Sequence, residues 1–196
     1  MKNKLLIYSL IGLGIFLFGN FTVYLFVKEM NRPKLPTLSR VSEFSLLDDQ
    51  GKTFTHQNLQ GKVWIAAFIF TTCSDICPIM SKNMAKLNRT FEKVHGVKLV
   101  SITVNPEYDQ PEVLSKYKEQ FIGPKDKWHF LTGDREVITK LAIHSFKLGA
   151  IDQPIFHSSY LSLVDRHGFI RGYYDGTNEE AVNKLFQDAA MALKEN

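Results

Sequence analysis

The chain has 196 residues, 44% of them apolar and 22% charged, which is globular usage and excludes a disordered chain. Its two cysteines exclude a disulfide-rich scaffold and a four-cysteine zinc site. Residues 1–34 hold five of the 24 Lys+Arg and one of the 20 Asp+Glu, so 35–196 carries 19 of each sign and no nucleic-acid or other polyanion partner is expected.

The first element is an uncharged run of 23 residues, Leu5 to Val27. At about 1.5 Å per residue, a helix of this length crosses a hydrocarbon core of roughly 30 Å. Tyr8 and Tyr24 lie near its ends, where aromatic side chains favour the interface. A cleaved signal peptide would have an apolar region of about 7–15 residues and a small-residue cleavage site. This run is longer, and VYLFVKEM offers no such site. No Cys directly follows it for lipid modification, and a soluble helix this long would carry a polar stripe. Residues 1–28 are therefore expected to be a membrane anchor. Residues 29–40, with two prolines, read as an extended linker, and 41–196 as the soluble domain. Lys2 and Lys4 precede the run while Lys28, Arg32 and Lys34 follow it, so charge leaves the orientation open.

FSLLDDQGKTF (44–54) reads as a hairpin, and VWIAAFIF (63–70) as a strand buried on both faces. A helix is predicted from Pro78, with Met80, Met84, Leu87, Phe91 and Val94 on one stripe. VKLVSITV (97–104) is a strand, PEVLSKYKEQF (111–121) a helix, WHFLT (128–132) a strand, and DREVITKLAIHSF (134–146) a helix capped by its Asp. YLSLVD (160–165) and FIRGYY (169–174) form a second hairpin. NEEAVNKLFQDAAMALK (178–194) is a final Asn-capped helix. This order predicts an α/β domain with a mixed central sheet and helices on both faces. GxGxxG, GxxxxGKS/T and GxSxG are absent, which leaves nucleotide binding and serine-hydrolase chemistry without support.

Both cysteines fall in FTTCSDICP (70–78), between the buried strand and the amphipathic helix. Ends of strands that feed helix N-termini are common sites of chemistry in α/β folds. The plain alternative is two buried thiols packing as small hydrophobes. The polar Thr71, Thr72, Ser74 and Asp75 around them argue against it. In a regular helix, i and i+4 Cβ atoms stand about 5–6 Å apart, wider than the roughly 3.5–4.5 Å of a disulfide. Pro78 disfavours the α conformation for Cys77, so the pair is expected in a loop and first turn able to relax into a disulfide. Two thiolates clasping one metal ion fit the same spacing, and thiolates point to Cu(I) or Zn. The helix N-terminus favours thiolate over thiol.

Two thiolates leave a metal site incomplete, and there are six histidines. His95, before Gly96, suits a helix C-cap. His129 lies in a strand, His144 in a helix, and His56 and His167 in turns. His157, just before a strand, stands only slightly ahead as a ligand. Met80 and Met84 could donate thioethers, but their place on the apolar stripe favours packing. Asp75 reads equally as a tuning or metal-contacting group and as a solvated loop acid.

With these residues the sequence resembles the Sco/SenC family of copper-handling, thioredoxin-like proteins. The match runs through GKVWIAAFIFTTCSDICPIMSKNMAKL (61–87), VSITVNPEYDQPEVLSKY (100–117), WHFLTGD (128–134), HSSYLSLVD (157–165) and YYDG (173–176). The resemblance implies a thioredoxin-like α/β fold with an N-terminal hairpin behind a single transmembrane helix. It also implies a single-pass location in the cell membrane, with the soluble domain on the outer side. Copper, as Cu(I) or Cu(II), would be held by Cys73, Cys77 and His157, and Cys73 and Cys77 would form a redox disulfide. The implied task is assembly of the binuclear copper site in subunit II of cytochrome c oxidase, among other copper or thiol-redox partners. Asn105 stands where the family usually has Asp, and Ile79 where it often has a second Pro.

Two other readings compete with a copper chaperone. A metal-independent thiol–disulfide oxidoreductase would more usually carry CxxC. A thiol peroxidase would give His157 no role.

Overall fold

The structure is a computed structural model that describes residues 2–30, 34–121, 127–148 and 158–195. The chain divides into two compact units, Met1–Lys34 and Leu35–Asn196. The first holds the helix α1 (Lys2–Met30) over the uncharged run, and its described side chains, 12–27, are exposed. Among the described residues no helix is long and apolar enough to cross a membrane. The span over Leu5–Val27 therefore stands on the sequence.

The second unit is built on a seven-stranded mixed sheet. Its strands are β1 (Ser45–Asp48), β2 (Thr53–Thr55), β3 (Val63–Ile69), β4 (Val97–Thr103), β5 (Trp128–Thr132), β6 (Tyr160–Val164) and β7 (Ile170–Asp175), in the order β2-β1-β5-β4-β3-β6-β7. β3, β4 and β5 are parallel to one another, and β6 and β7 are antiparallel additions beside β3. The helices are α2 (Ile76–Thr90), α3 (Pro111–Glu119), α4 (Arg135–Lys140) and α5 (Glu179–Ala192). The βαβ unit β3–α2–β4 and the ββα unit β6–β7–α5 share one sheet, the thioredoxin-like arrangement that the resemblance implies, with the β1–β2 hairpin on the far edge.

β3 explains why the core has two layers. All seven of its residues are buried. Val63, Ile65, Ala67 and Ile69 face the helices α2, α3 and α5. Trp64, Ala66 and Phe68 face α4, Phe146 and the N-terminal hairpin. Period-2 side-chain alternation demands an apolar residue at every position when both faces are covered.

Four details depart from the sequence reading. α2 begins at Ile76, two residues before Pro78, so Cys77 is helical. Proline is tolerated there because the first-turn N–H groups have no intrahelical partner to lose. α2 ends at Thr90, so Val94 lies past the helix and His95 is an exposed turn residue, not its cap. Lys127 Nζ instead bonds the carbonyls of Phe91 and Val94. α4 keeps its Asp134 cap but widens into a π turn at Leu141–Ser145.

The fourth departure is the N-terminal edge of the domain. Leu35–Val41 is docked along β7, with Leu38 N–H on Ile170 O at 2.9 Å, Ile170 N–H on Ser39 O at 2.7 Å and Val41 N–H on Gly168 O at 2.9 Å. Buried Arg171 ties this segment down. It donates to Pro36 O at 2.7 Å and Leu35 O at 2.6 Å, and pairs with Asp165 at 2.8 Å and Glu195 at 2.7 Å. Ser145, at the end of the π turn, holds Ser39 and Ser42 from the other side. The folded unit thus starts at Leu35, earlier than the residue 41 read from composition.

Candidate metal and thiol site

β3 delivers the chain to the site and α2 carries it away. Phe70 is half-buried, residues 71–75 form a loop, and α2 starts one residue before Cys77. Cys73 is 8% exposed and Cys77 3%, and both are free thiols. Both join the α2–α5 core layer at its upper rim, beside Met80 and Met84. The two methionines are fully buried, which is the packing role their stripe position favoured.

The helix start explains the electrostatics. Asp75 occupies the N-cap, but its side chain makes no capping bond. The open first-turn donors serve Cys73 instead. Burial opposes ionisation at Cys73, but the N–H groups of Cys77, Asp75 and Ile76 and the Cys77 thiol outweigh it. They hold the Cys73 pKa below its ordinary value. Cys77 goes the other way, pushed up to about 12 by burial, with the negative charges of Cys73 and Asp109 adding to the effect. The two thiols, hydrogen-bonded to each other, are therefore unequal, Cys73 the more acidic and Cys77 the less.

Asp109 is the site residue that sequence reading missed. It is fully buried and accepts from Thr71 N–H at 3.0 Å, from the Thr71 hydroxyl, and from the Thr103 hydroxyl. It ties the start of the cysteine loop to the end of β4. One signal was available: VNPEYDQP follows the last residues of β4, the strand beside β3, at the same sheet end as the cysteines. Asn105 contributes through its backbone. Its carbonyl accepts from Asp109 N–H at 2.9 Å and Tyr108 N–H at 3.1 Å, which any residue at 105 would supply.

Among the described residues no group of three His, Cys, Asp or Glu is placed to hold a metal ion. His157 lies outside the described residues, as do residues 149–156 before it. The remaining histidines are engaged elsewhere or exposed. His56 is 3.6 Å from Glu43. His129 meets Lys98 Nζ at 3.1 Å and the Phe54 ring at 4.9 Å. His95, His144 and His167 are exposed.

The SCO1/SenC family model matches residues 33–192. The SCO1 protein homolog of Bacillus subtilis (strain 168) is 31% identical over 166 residues, covering 81% of this chain and 86% of its own. Among solved structures, BsSco, a member of the Sco family of cytochrome c oxidase assembly proteins in which a disulfide switch was identified, matches with a TM-score of 0.73 at 30% identity, over 83% of this chain and 99% of its own. Yeast Sco1 with copper bound matches with a TM-score of 0.62 at 27% identity, over 79% of this chain and 90% of its own.

Proposed function

For a chain that belongs to the SCO1/SenC family, we propose the task of a copper-binding, thiol-redox assembly factor for cytochrome c oxidase. One observation carries the reading. Cys73 and Cys77 share a hydrogen bond at the start of α2, with the Cys73 sulfur gathered by three first-turn N–H groups. Such a pair offers a soft donor set suited to Cu(I), and copper-bound yeast Sco1 supports the same cargo here. Cys73 and Cys77 would supply the sulfur donors and His157 a nitrogen donor. The oxidase-assembly role of BsSco supports the same client class. Subunit II, which carries the binuclear copper site, is the specific partner we infer. The uncharged run Leu5–Val27 would hold the domain at the cell membrane, on the outer side where copper is delivered.

The same contact favours a second reading, a thiol–disulfide oxidoreductase working without metal. In that reaction the two thiols give up two protons and two electrons to a partner disulfide, which becomes a dithiol. The deciding first experiment is titration of the reduced protein with Cu(I) against a competing chelator. One copper per chain is expected, lost on Cys73→Ser or Cys77→Ser. Stoichiometric copper retained by the double variant overturns the site.

A further inference from the structure

The even charge balance of residues 35–196 conceals a segregation along the sheet axis. Because β3, β4 and β5 are parallel, α2, α3 and α4 all start at the cysteine end and run away from it. α5, following β7, does the same. First turns collect acids: Glu112 in α3, Glu136 in α4, and Glu179 and Glu180 in α5. The opposite end collects bases.

At that opposite end the loops entering β3 and β4, the β6–β7 turn, the docked N-terminal segment and the end of α5 meet. Val63 N–H bonds Gly96 O at 2.9 Å, Gly61 N–H bonds Arg166 O at 3.2 Å, and Arg166 donates to Leu193 O. These segments carry Arg40, Lys62, Arg89, Lys93, Arg166 and Lys194, all exposed except the half-buried Arg166. Against them stand exposed Glu43 and Glu92, while Asp165 and Glu195 are paired with Arg171. Arg40, Arg166, His56 and His167, with Glu43 beside His56 at 3.6 Å, line a cavity of about 690 Å³ together with Trp64 and Phe169. The chain also enters the domain at this end. Leu35 N–H meets Glu195, just past α5, and the segment before it carries Lys28, Arg32 and Lys34.

We infer that this basic end is a docking face for an anionic lipid surface, which holds the cysteine end turned away from the bilayer. The inference rests on the proposed membrane anchor, which precedes Leu35 in the chain. The phosphates of acidic lipids match the excess of exposed Lys and Arg, and the cavity admits a single headgroup between two guanidinium groups. The attraction is a surface one, so it decays within a Debye length and is weakened by salt. An orientation set this way leaves Cys73 and Cys77 facing partners that stand off the membrane.

Residues 35–196 form a compact unit with its own core. The BsSco chain, 99% of which matches 83% of this one, shows that a corresponding fragment folds. The test is co-sedimentation of this fragment with phosphatidylglycerol-containing vesicles and with pure phosphatidylcholine vesicles. At low salt, partitioning onto the anionic vesicles is expected to be at least about tenfold stronger, and to fall to the neutral level at high salt. Lys62→Glu/Arg89→Glu/Lys93→Glu should abolish it. The milder Lys62→Gln/Arg89→Gln/Lys93→Gln should reduce it with an unchanged denaturation midpoint. Glu179→Gln/Glu180→Gln, at the other end, should leave it unchanged. Equal binding to both vesicles, or full binding by the charge-reversed variant, overturns the proposal. So does equally tight capture of soluble polyglutamate, which would make the face one for an acidic protein. Carbonate extraction of the full chain from membranes tests the anchor separately: release of the chain would defeat the anchor and leave the vesicle result to judge the face.

Discussion

The carboxylate of Asp109 accepts the backbone N–H of Thr71 at 3.0 Å, and so reaches the cysteine loop two residues before Cys73 from a loop 38 positions later in the chain. The Thr71 and Thr103 hydroxyls donate to the same carboxylate, which has no solvent exposure. Asp109→Ala strands three donors, the buried Thr103 hydroxyl and the two part-buried ones of Thr71, and should cost about 2–4 kcal/mol of stability. Asp109→Asn keeps an acceptor for Thr71 N–H and should cost less than half of that. Urea denaturation measures both. Cys73 alkylation rates on the folded variants show whether the loop has lost its hold.

The two cysteines should titrate far apart. Cys73 is held below its ordinary 9.0 and gives up its proton first, whereas Cys77 keeps its proton until about 12. Iodoacetamide on the native reduced protein should therefore label Cys73 alone, with Cys77 labelled only after denaturation, as read by mass spectrometry. The linkage follows. Unfolded Cys77 ionises near 9.0 and folded Cys77 near 12, so its stabilising contribution is complete below 9.0 and is lost as pH climbs toward 12. Cys73 has the opposite sign, its contribution growing as pH rises from its lowered value to 9.0. Urea midpoints between pH 9 and 12 should fall more steeply for the wild type than for Cys77→Ala.

Arg171, buried on the edge strand β7, should be costly to lose. It pairs with the buried Asp165 and donates to the carbonyls of Leu35 and Pro36. Arg171→Met leaves Asp165 buried without its partner, a loss of about 3–5 kcal/mol. It also frees the docked segment. Limited proteolysis should then cut within residues 35–42, while the wild type resists there.

Local pattern made the sheet and most helices legible. The uninterrupted apolar run of β3 could only serve a strand covered on both faces, and Asp134 and Asn178 cap their helices as their positions suggested. What local pattern does not encode is long-range hydrogen bonding. Pro33 and Pro36 read as linker punctuation, yet the segment from Leu35 is fixed by Arg171, 136 residues later. The π turn has the same origin. It sets Ser145 where its hydroxyl meets Ser42 N–H at 3.1 Å, a demand from outside α4. At the site, Pro78 points to a later helix start, but α2 takes in Ile76 and Cys77 because a proline in the first turn, where N–H groups have no intrahelical partner, costs no hydrogen bond. Those same groups are what make Cys73 acidic.

Oxidation should gate copper binding. A Cys73–Cys77 disulfide leaves no thiolate, so the oxidised protein should lose copper affinity by several orders of magnitude. It should regain that affinity on reduction. Chelator competition on the two redox forms reads this directly. Equal copper retention by the oxidised form would show that the metal sits elsewhere.

His157 separates the two proposed activities. A metal site built on Cys73 and Cys77 needs a further donor, whereas disulfide exchange needs only the sulfurs. His157→Ala should weaken copper binding strongly, yet leave oxidation of Cys73 and Cys77 and its reversal near wild-type rates. In cells, copper handling as the main task predicts an oxidase defect in His157→Ala as deep as in Cys73→Ser, relieved in part by added copper through mass action. Thiol reduction as the main task predicts near-normal oxidase in His157→Ala beside failure of both Cys variants. Oxidase activity measured at matched protein levels decides between them. A normal His157→Ala strain would transfer the role from copper delivery to disulfide exchange.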